Sequence, residues 1–272
     1  MRTTIQQSWY RNGQLREEMP LRNGKRHGVA RLWHKNGRLA SEERYANGLL
    51  HGICRQWNES GRLLGQYRMV QGTGVQRVWH DNGKPQMELS SVHGEFCGRS
   101  RSWLRDGTLL ADEIFLCGKL VNVDAYRVAA TKDKSLPKLG RARRKALKPV
   151  SEQHIHRVFI AAQLAKPNGR EARVWLEEKS SGRALGRFKR QSDAAKFVAA
   201  LYNAGASKVI APDVYRSKKG EEFADALLVR LPKSADQRKA IRNVCAQLPK
   251  RKLGAVQPDA DMGEAYLFLS LA

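Results

Sequence analysis

The first 125 residues repeat one pattern of aromatic and polar positions about every 24 residues. Tryptophans recur at spacings of 24, 24, 22 and 24, and a glycine preceded by Asn, Ser or Asp follows each of them four positions later. Asn-Gly and Asp-Gly tolerate the positive φ angles of a two-residue type I′ turn. Each Trp-x-x-Asn-Gly is therefore predicted to cap a β-hairpin. The tryptophans are Trp9, Trp33, Trp57, Trp79 and Trp103, and the glycines are Gly13, Gly37, Gly61, Gly83 and Gly107.

One repeat predicts two strands, a tight turn and a connecting loop. In the second repeat these are the strand Val29–His34, the turn Asn36-Gly37, the strand Leu39–Tyr45 and the loop 47–52. Because a lone hairpin is only marginally stable in water, the repeats must stack and bury aromatic side chains against their neighbours. The pattern predicts an elongated, mainly β array over residues 1–125, with the tryptophans as its stacked core. An aromatic platform for a ligand is the alternative role of the tryptophans.

The recurring positions resemble MORN repeats over residues 8–125, and are most similar to the bacterial variant of YwqK-type antitoxins. The third and fourth repeats depart from this pattern, because Gly72 to Gly74 and Val92-His93-Gly94 break its last phrase. The phrases that carry the likeness are Tyr10-x-Asn12-Gly13, Trp33-x-x-Asn36-Gly37-x-Leu39 and Glu42-Glu43-x-Tyr45-x-Asn47-Gly48-x-x-His51-Gly52.

The resemblance implies a protein that binds other proteins, and in some cases acidic lipids, without a set of catalytic residues. The antitoxin variant implies a toxin as the partner. The candidate partner-binding residues are aromatic and histidine positions of the middle repeats, namely Trp33, Tyr45, His51, Trp57 and Trp79.

Residues 166–272 predict a small α+β domain. Helical spacing of apolar residues begins at Ser192 and again at Ser234, where Ser234 to Gln237 has the form of a capping box. The order βαββαβ is that of ferredoxin-like domains, in which two helices cover one face of the sheet and leave the other open. The four predicted strands are 174–176, Lys208–Tyr215, Phe223–Leu231 and Ala265–Leu271, the last of them apolar enough for a central position.

RNA-recognition domains share that topology and stack bases on aromatic residues of their central strands. The aromatic motif of those domains is missing from residues 223–227. Trp175, Tyr215 and Tyr266 are candidates to line the open face, and core or interface roles are the alternative.

Charge changes the picture of the segment between the two domains. The chain has 50 Lys and Arg against 26 Asp and Glu, a formal net charge of +24, and its pI is near 10.3. Residues 126–170 hold twelve of the basic and two of the acidic residues, an excess of ten. We predict a basic linker at 126–165, which is either solvated or in contact with a polyanion. The candidate polyanion-binding residues are Lys138, Arg141, Arg143, Arg144, Lys145 and Lys148.

Two functions follow from these features. The first is a non-catalytic scaffold that recognises another protein through its repeats. The alternative is binding of RNA or DNA through the linker and the second domain, because clustered Lys and Arg release counterions from phosphate chains. The same charges suit anionic lipid.

Residues for chemistry are sparse. The sequence has no G-x-x-x-x-G-K-[ST], G-x-S-x-G or H-E-x-x-H motif, so we expect no enzyme activity and no cofactor. His154 and His156 lie on a predicted short strand at 153–164 without a third ligand in reach, which argues against a metal site. Four cysteines without C-x-x-C spacing favour reduced thiols, and the lack of a long apolar stretch predicts a soluble, cytoplasmic protein.

Overall fold

Antiparallel hairpins form the first part of the chain in the computed structural model, which describes residues 2–140, 147–178, 182–217, 219–248 and 261–271. The chain divides into two units, Met1–Ser151 and Glu152–Ala272, and the division falls inside the segment predicted to be a linker. In the first unit the described strands join in one antiparallel sheet. They are β1 (Thr3–Trp9), β2 (Leu15–Arg22), β3 (Lys25–Arg26), β4 (Gly28–Trp33), β5 (Leu39–Ala46), β6 (Leu49–Leu50), β7 (Gly52–Trp57), β8 (Leu63–Val70), β9 (Thr73–Trp79), β10 (Pro85–Val92), β11 (Glu95–Trp103), β12 (Leu109–Leu116) and β13 (Lys119–Val121).

The predicted hairpins are confirmed, but the type of turn is corrected. After Trp33, His34 N–H donates to Arg38 O at 2.8 Å, and of the turn residues only Gly37 has a positive φ angle, 81°. Asn36 stays in a negative-φ conformation because its side chain accepts a hydrogen bond from Arg38 N at 3.0 Å. A three-residue loop with glycine in the left-handed region replaces the type I′ turn.

A two-residue turn with two positive φ angles connects each hairpin to the strand that follows it. Asn23 and Gly24 have φ angles of 50° and 77° between the paired residues Arg22 and Lys25. Both central residues have positive φ angles in all five of these turns, although only two of the five have the sequence Asn-Gly. The equivalent pairs are Asn47-Gly48, Gln71-Gly72, His93-Gly94 and Cys117-Gly118.

A helix closes the last described hairpin. Helix α1 (Val123–Lys132) begins at the N-cap Asn122, whose side chain accepts a hydrogen bond from Ala125 N at 2.8 Å. Its Tyr126 is buried against Ile114 of β12. Part of the predicted linker is therefore an ordered element packed on the sheet.

The second unit is an α+β structure, which confirms the predicted class. Its main described sheet has the order β14-β16-β19-β20, and a second sheet has the order β15-β18-β17. The elements are α2 (Glu152–Leu164), β14 (Arg170–Glu171), α3 (Ala172–Glu177), β15 (Arg183–Leu185), α4 (Gln191–Asn203), β16 (Lys208–Ala211), β17 (Tyr215–Arg216), β18 (Glu222–Ala224), β19 (Ala226–Arg230), α5 (Ala235–Ala246) and β20 (Tyr266–Ser270).

The strand order corrects the ferredoxin-like prediction. In a split β-α-β arrangement the two strands on either side of the first helix are separated by another strand. Here β14 and β16 are direct antiparallel neighbours, as are β16 and β19, and β19 and β20. The terminal strand β20 is therefore an edge of the described sheet, not its centre.

Two segments predicted as strands are helical. Residues 174–176 belong to α3, where Glu171 caps Val174 N at 2.8 Å and Trp175 is fully buried. Residues 153–164 belong to α2, whose buried residue is Ile160. The strand predictions were wrong for both segments, because short apolar runs do not distinguish a strand from a helix.

The helices predicted at Ser192 and Ser234 are confirmed as α4 and α5, although their caps differ. The N-cap of α4 is Arg190, and Ser234 caps α5 without a side-chain hydrogen bond. None of the described helices is long and apolar enough to cross a membrane.

The predicted open face of the second unit's sheet is covered at β20. Phe159 of α2 meets Phe268 edge-on with ring centroids 4.9 Å apart, and His156 Nε2 hydrogen-bonds Tyr266 O at 3.0 Å. Trp175 and Tyr215 are buried in the structure rather than exposed on a face. Trp175 and Tyr215 therefore serve packing, whereas Tyr266 is partly buried on the edge strand β20.

Candidate protein-binding surface

The two faces of the first unit's sheet carry different chemistry. Adjacent residues in a strand point to opposite faces, and Glu42 and Glu43 of β5 show the result. Glu42 lies 3.4 Å from Arg31 Nε and 3.6 Å from Arg55 Nη1, whereas Glu43 accepts a hydrogen bond from Tyr45 Oη at 2.6 Å. The charged face comprises Glu18, Arg31, Glu42, Arg55, Arg77, Glu88 and Arg101. The aromatic face comprises Leu32, Glu43, Tyr45, Cys54, Trp57, Tyr67 and Val78.

Acids and arginines alternate from strand to strand on the charged face, except at β8, where Gln66 lies between Arg55 and Arg77. Arg31 also lies 3.6 Å from Glu18, and Arg77 Nε lies 3.1 Å from Glu88, which pairs with Arg101 as well. Such partly exposed pairs contribute about 0–1 kcal/mol each. Because the residues of the charged face pair with one another within the sheet, the opposite face is the better candidate for binding.

A cavity of about 250 Å³ opens on the aromatic face between β4 and β9. Its walls combine six apolar or aromatic residues with six polar or charged ones, of which one is a carboxylate. They include Leu32, Glu43, Cys54, Trp57, Tyr67 and Val78. Concave apolar pockets with a few placed polar groups are the usual form of a binding site.

Glu43 is the polar centre of this cavity. Its carboxylate accepts hydrogen bonds from Tyr45 Oη at 2.6 Å and from Tyr67 Oη at 3.5 Å. Burial and the carboxylate raise the pKa of both tyrosines, so both hydroxyls remain protonated donors. Burial also raises the pKa of the Cys54 thiol. The wall therefore presents one carboxylate held by two neutral phenols.

Two arginines also line the cavity, but their charged ends are engaged on the charged face. Arg55 pairs with Glu42, and Arg77 pairs with Glu88. No ion pair joins Glu43 to a Lys or Arg among the residues that the structure describes. Glu43 is therefore the charged residue of the cavity wall without an oppositely charged partner on the described sheet.

Three side chains of a turn hold the next hairpin in register. In the fourth turn the donors are His80, Asn82 and Lys84. They bond to the backbone carbonyls of Trp103, Arg105 and Asp106 at 2.9, 3.0 and 2.6 Å. The histidine bond requires the Nε2–H tautomer. Tyr10 and His34 make the same contact to the carbonyls of the next tryptophans at 2.7 and 2.9 Å. The repeated polar residues of the turns are thus structural.

The predicted partner-binding residues separate into two groups. Trp33, Trp57 and Trp79 are half-buried at the ends of the first strands of their hairpins, and Trp57 lines the cavity. Tyr45 reaches the cavity through Glu43, and the guanidinium of Arg26 lies 5.3 Å from its ring centroid.

His51 is not part of the cavity. It lies on the row of connecting loops, where its Nδ1 accepts a hydrogen bond from Gln71 N at 3.2 Å. His27 holds Asn47 N in the same way at 3.3 Å. This histidine recurs because it positions the next loop.

Most residues of the cavity were not among the predicted binding residues, and they include Leu32, Glu43, Cys54 and Tyr67. Glu43 and Tyr67 occupy the same repeat position, 24 residues apart, and face Ala30 and Cys54 across the strands. Aligning the repeats position by position would have shown this column of residues.

Only two of the six predicted polyanion-binding residues lie in the described part of the chain. Lys138 and Lys148 are exposed, whereas Arg141, Arg143, Arg144 and Lys145 lie outside the described residues. Among the described residues no group of three His, Cys, Asp or Glu could hold a metal ion.

Comparison with protein families matches three segments of the first unit, residues 2–23, 26–47 and 73–93, to a MORN repeat variant. Comparison with curated proteins finds no match. MORN repeats are generally linked to the binding of proteins or membranes. The chain thus carries repeats similar to the MORN variant, on the sheet whose aromatic face bears the cavity.

Proposed function

We propose that the first unit is a non-catalytic binding module, which takes a segment of a partner protein onto its aromatic face. The observation that carries this proposal is the cavity, whose wall combines Trp57, Tyr67 and Leu32 around the carboxylate of Glu43. Leu32 remains 41% exposed although it lies beside this cavity. Partly exposed aromatic and aliphatic side chains around a pocket are typical of the anchoring centre of protein interfaces.

Charge indicates which part of a partner fits best. A Lys or Arg side chain lays an apolar stem against aromatic walls and carries a charged end. Glu43 supplies the opposite charge, and Trp57 supplies a ring face that attracts cations. We therefore expect a basic side chain of the partner to enter the cavity.

The same groups favour binding over catalysis at this site. Tyr45, Tyr67 and Cys54 all have a raised pKa, so neither phenolate nor thiolate is formed near neutral pH. An activated nucleophile requires a lowered pKa or an adjacent base in contact with it. An antitoxin-like role is the special case in which the partner is a toxin. That case requires that co-expression of the chain restores growth of cells producing the toxin.

The test is affinity capture with the full-length protein from a nuclease-treated lysate, compared across matched variants. Leu32→Lys and Glu43→Gln alter the aromatic face, whereas Arg68→Gln alters an exposed residue outside the cavity. We expect one protein to be retained by the wild type and Arg68→Gln, lost with Leu32→Lys and reduced with Glu43→Gln. Equal retention by all four proteins would overturn the proposal.

A second candidate function rests on the excess of ten positive charges in residues 126–170. Binding of RNA or DNA there must weaken steeply as salt rises, because each phosphate contact releases counterions. A variant with Lys138, Arg141, Arg143, Arg144, Lys145 and Lys148 changed to Ala should bind a labelled duplex more weakly and with a shallower salt dependence. Salt-independent binding would refute this function. Vesicles with and without anionic lipid would distinguish a membrane from nucleic acid.

A further inference from the structure

The first strand of the sheet has an unoccupied edge. β1 pairs with β2 along one side, and no described strand pairs with its other side. Six of its seven residues are exposed, and they include two large apolar side chains, Ile5 at 61% and Trp9 at 58%. Trp79, at the equivalent position three hairpins later, lies against Gly65 of the hairpin before it. Trp9 has no such neighbour among the described residues.

The composition of β1 sets it apart from the rest of the sheet. Its sequence, TTIQQSW, contains no charged side chain, although charged residues make up 28% of the chain. Every other described strand of three or more residues in this sheet carries at least one Lys, Arg, Asp or Glu. Exposed edges are normally protected from pairing by charges, prolines or bulges. β1 has a bulge only at Ser8/Trp9.

The other end of the array is not built to receive β1. Each of the first four turns sends at least one side-chain donor to a backbone carbonyl of the next hairpin. Asn12, Asn36 and Arg62 do so in the first three turns. His80, Asn82 and Lys84 do so in the fourth. In the fifth turn the corresponding residues are Leu104, Asp106 and Thr108. Leucine and an ionised aspartate have no N–H or O–H donor, and threonine is shorter than lysine. Head-to-tail stacking of copies would therefore lack the contacts that hold the hairpins together.

We propose that β1 pairs antiparallel with β1 of a second copy of this chain, forming a two-fold symmetric dimer. Such pairing is self-complementary because no register of this strand brings two charges together. It satisfies the open backbone edge and covers Ile5 and Trp9. The interface is small, so we expect a reversible dimer with a dissociation constant on the order of micromolar. Because each copy carries +24, salt should strengthen the dimer by screening repulsion.

The test is sedimentation velocity of the full chain without an N-terminal tag, over a wide range of concentration and at two salt concentrations. Ile5→Lys and Gln6→Lys place a charge on each face of β1, and Gln86→Lys adds the same charge to an exposed position of β10. We expect the wild type and Gln86→Lys to pass from monomer to dimer, and both β1 variants to remain monomeric. Circular dichroism at a concentration where all four proteins are monomeric must show the same unfolding temperature, so that loss of the dimer is not loss of the fold.

Three results would overturn this inference. They are a wild type that stays monomeric at every concentration, a dimer that both β1 variants retain, or a series of higher oligomers that indicates head-to-tail stacking. None of them bears on the cavity of the aromatic face, which the capture experiment tests separately.

Discussion

The indole ring of Trp79 lies on Gly65, so closely that a Cβ at Gly65 would stand 2.3 Å from its Cζ2 atom. Strand register places Gly65 opposite Gln56, whose side chain bonds Trp79 O and N, both at 3.0 Å. The other four hairpins have Glu17, Ser41, Met87 and Ala111 at this repeat position. Trp79 also follows the connection that is two residues shorter than the others. Glycine at 65 therefore leaves the space that the indole ring of Trp79 occupies.

Gly65→Ala should destabilise the first unit by about 1–3 kcal/mol, because the methyl group must displace the ring or the strand. Thermal unfolding followed by circular dichroism measures the effect, and near-ultraviolet signals report the ring. Gly182→Ala is the control, since its Cβ would meet its nearest neighbour at 3.9 Å and its φ angle is not positive. Equal unfolding temperatures for both variants would contradict the packing described for Trp79.

The repeat could be predicted because Trp and Asn-Gly recur with its period. The type of each turn could not. Asn36-Gly37 and Asn47-Gly48 look alike in sequence and differ in structure. Asn36 caps its own turn through its side chain, whereas Asn47 adopts a positive φ angle of 53°. The Asn-Gly dipeptide alone does not determine how many residues form the loop between two paired strands. Register across the whole hairpin decides it.

The candidate site was predicted only in part for a related reason. Trp57 belongs to the tryptophans that mark every repeat, and Tyr45 is a conspicuous aromatic of the second repeat. Glu43 and Tyr67 become partners only when the strands of neighbouring hairpins pair. In the second unit, Trp175 seemed to mark a strand, but its indole N–H donates to buried Glu222 at 2.8 Å from a helix. Three apolar residues carry too little periodicity to separate these alternatives.

Gln66→Glu should stabilise the first unit by about 0.5 kcal/mol. Gln66 lies opposite Arg55, and extending the register of Met69 with Gly74 places it opposite Arg77 as well. It is the position at which the alternating stripe lacks an acid. Chemical denaturation in low salt measures the gain, which should shrink as salt screens the new pairs. The charge-matched control is Gln86→Glu on β10, and an equal gain there would assign the effect to net charge alone.

Thiol reactivity should single out Cys117 in the native protein. Cys117 is exposed, whereas Cys54, Cys97 and Cys245 are buried, and burial raises the pKa of Cys245 to about 12. A disulfide reagent should therefore modify one thiol rapidly and three only on unfolding. The neighbouring Cys97 raises the pKa of Cys117. The rate at which the reagent modifies Cys117 should therefore still increase above about pH 8.5. Cys117→Ser should abolish the rapid phase, and persistence of that phase would contradict the burial of the other three.

Tyr202→Phe should destabilise the second unit by about 1–3 kcal/mol. The Tyr202 hydroxyl donates to Glu171 and accepts from Val209 N at 2.9 Å, so its loss leaves a buried backbone donor unsatisfied. Burial first, and then Glu171, raise the pKa of Tyr202 to about 12. A raised folded pKa contributes stability below the unfolded value near 10, which is lost as pH rises toward about 12. The variant should lack this alkaline loss, and Tyr266→Phe is the control.

Asp261→Asn should flatten the acid limb of the second unit's stability. Arg238 Nε donates to Asp261 Oδ2 at 2.5 Å, and this hydrogen bond holds the pKa of the carboxyl below its usual range. A lowered folded pKa contributes stability above the unfolded value of about 3.9, and this is lost as pH falls toward the folded value. The side chain is 37% exposed, so solvent screens the pair and the loss at neutral pH should stay below about 1 kcal/mol.

Hydrogen–deuterium exchange of peptides covering α5 and β20 measures both effects. Glu177→Gln removes an exposed charge from α3 and serves as the control. If this control and Asp261→Asn had the same acid profile, the contact with Arg238 would not be what couples this segment to pH.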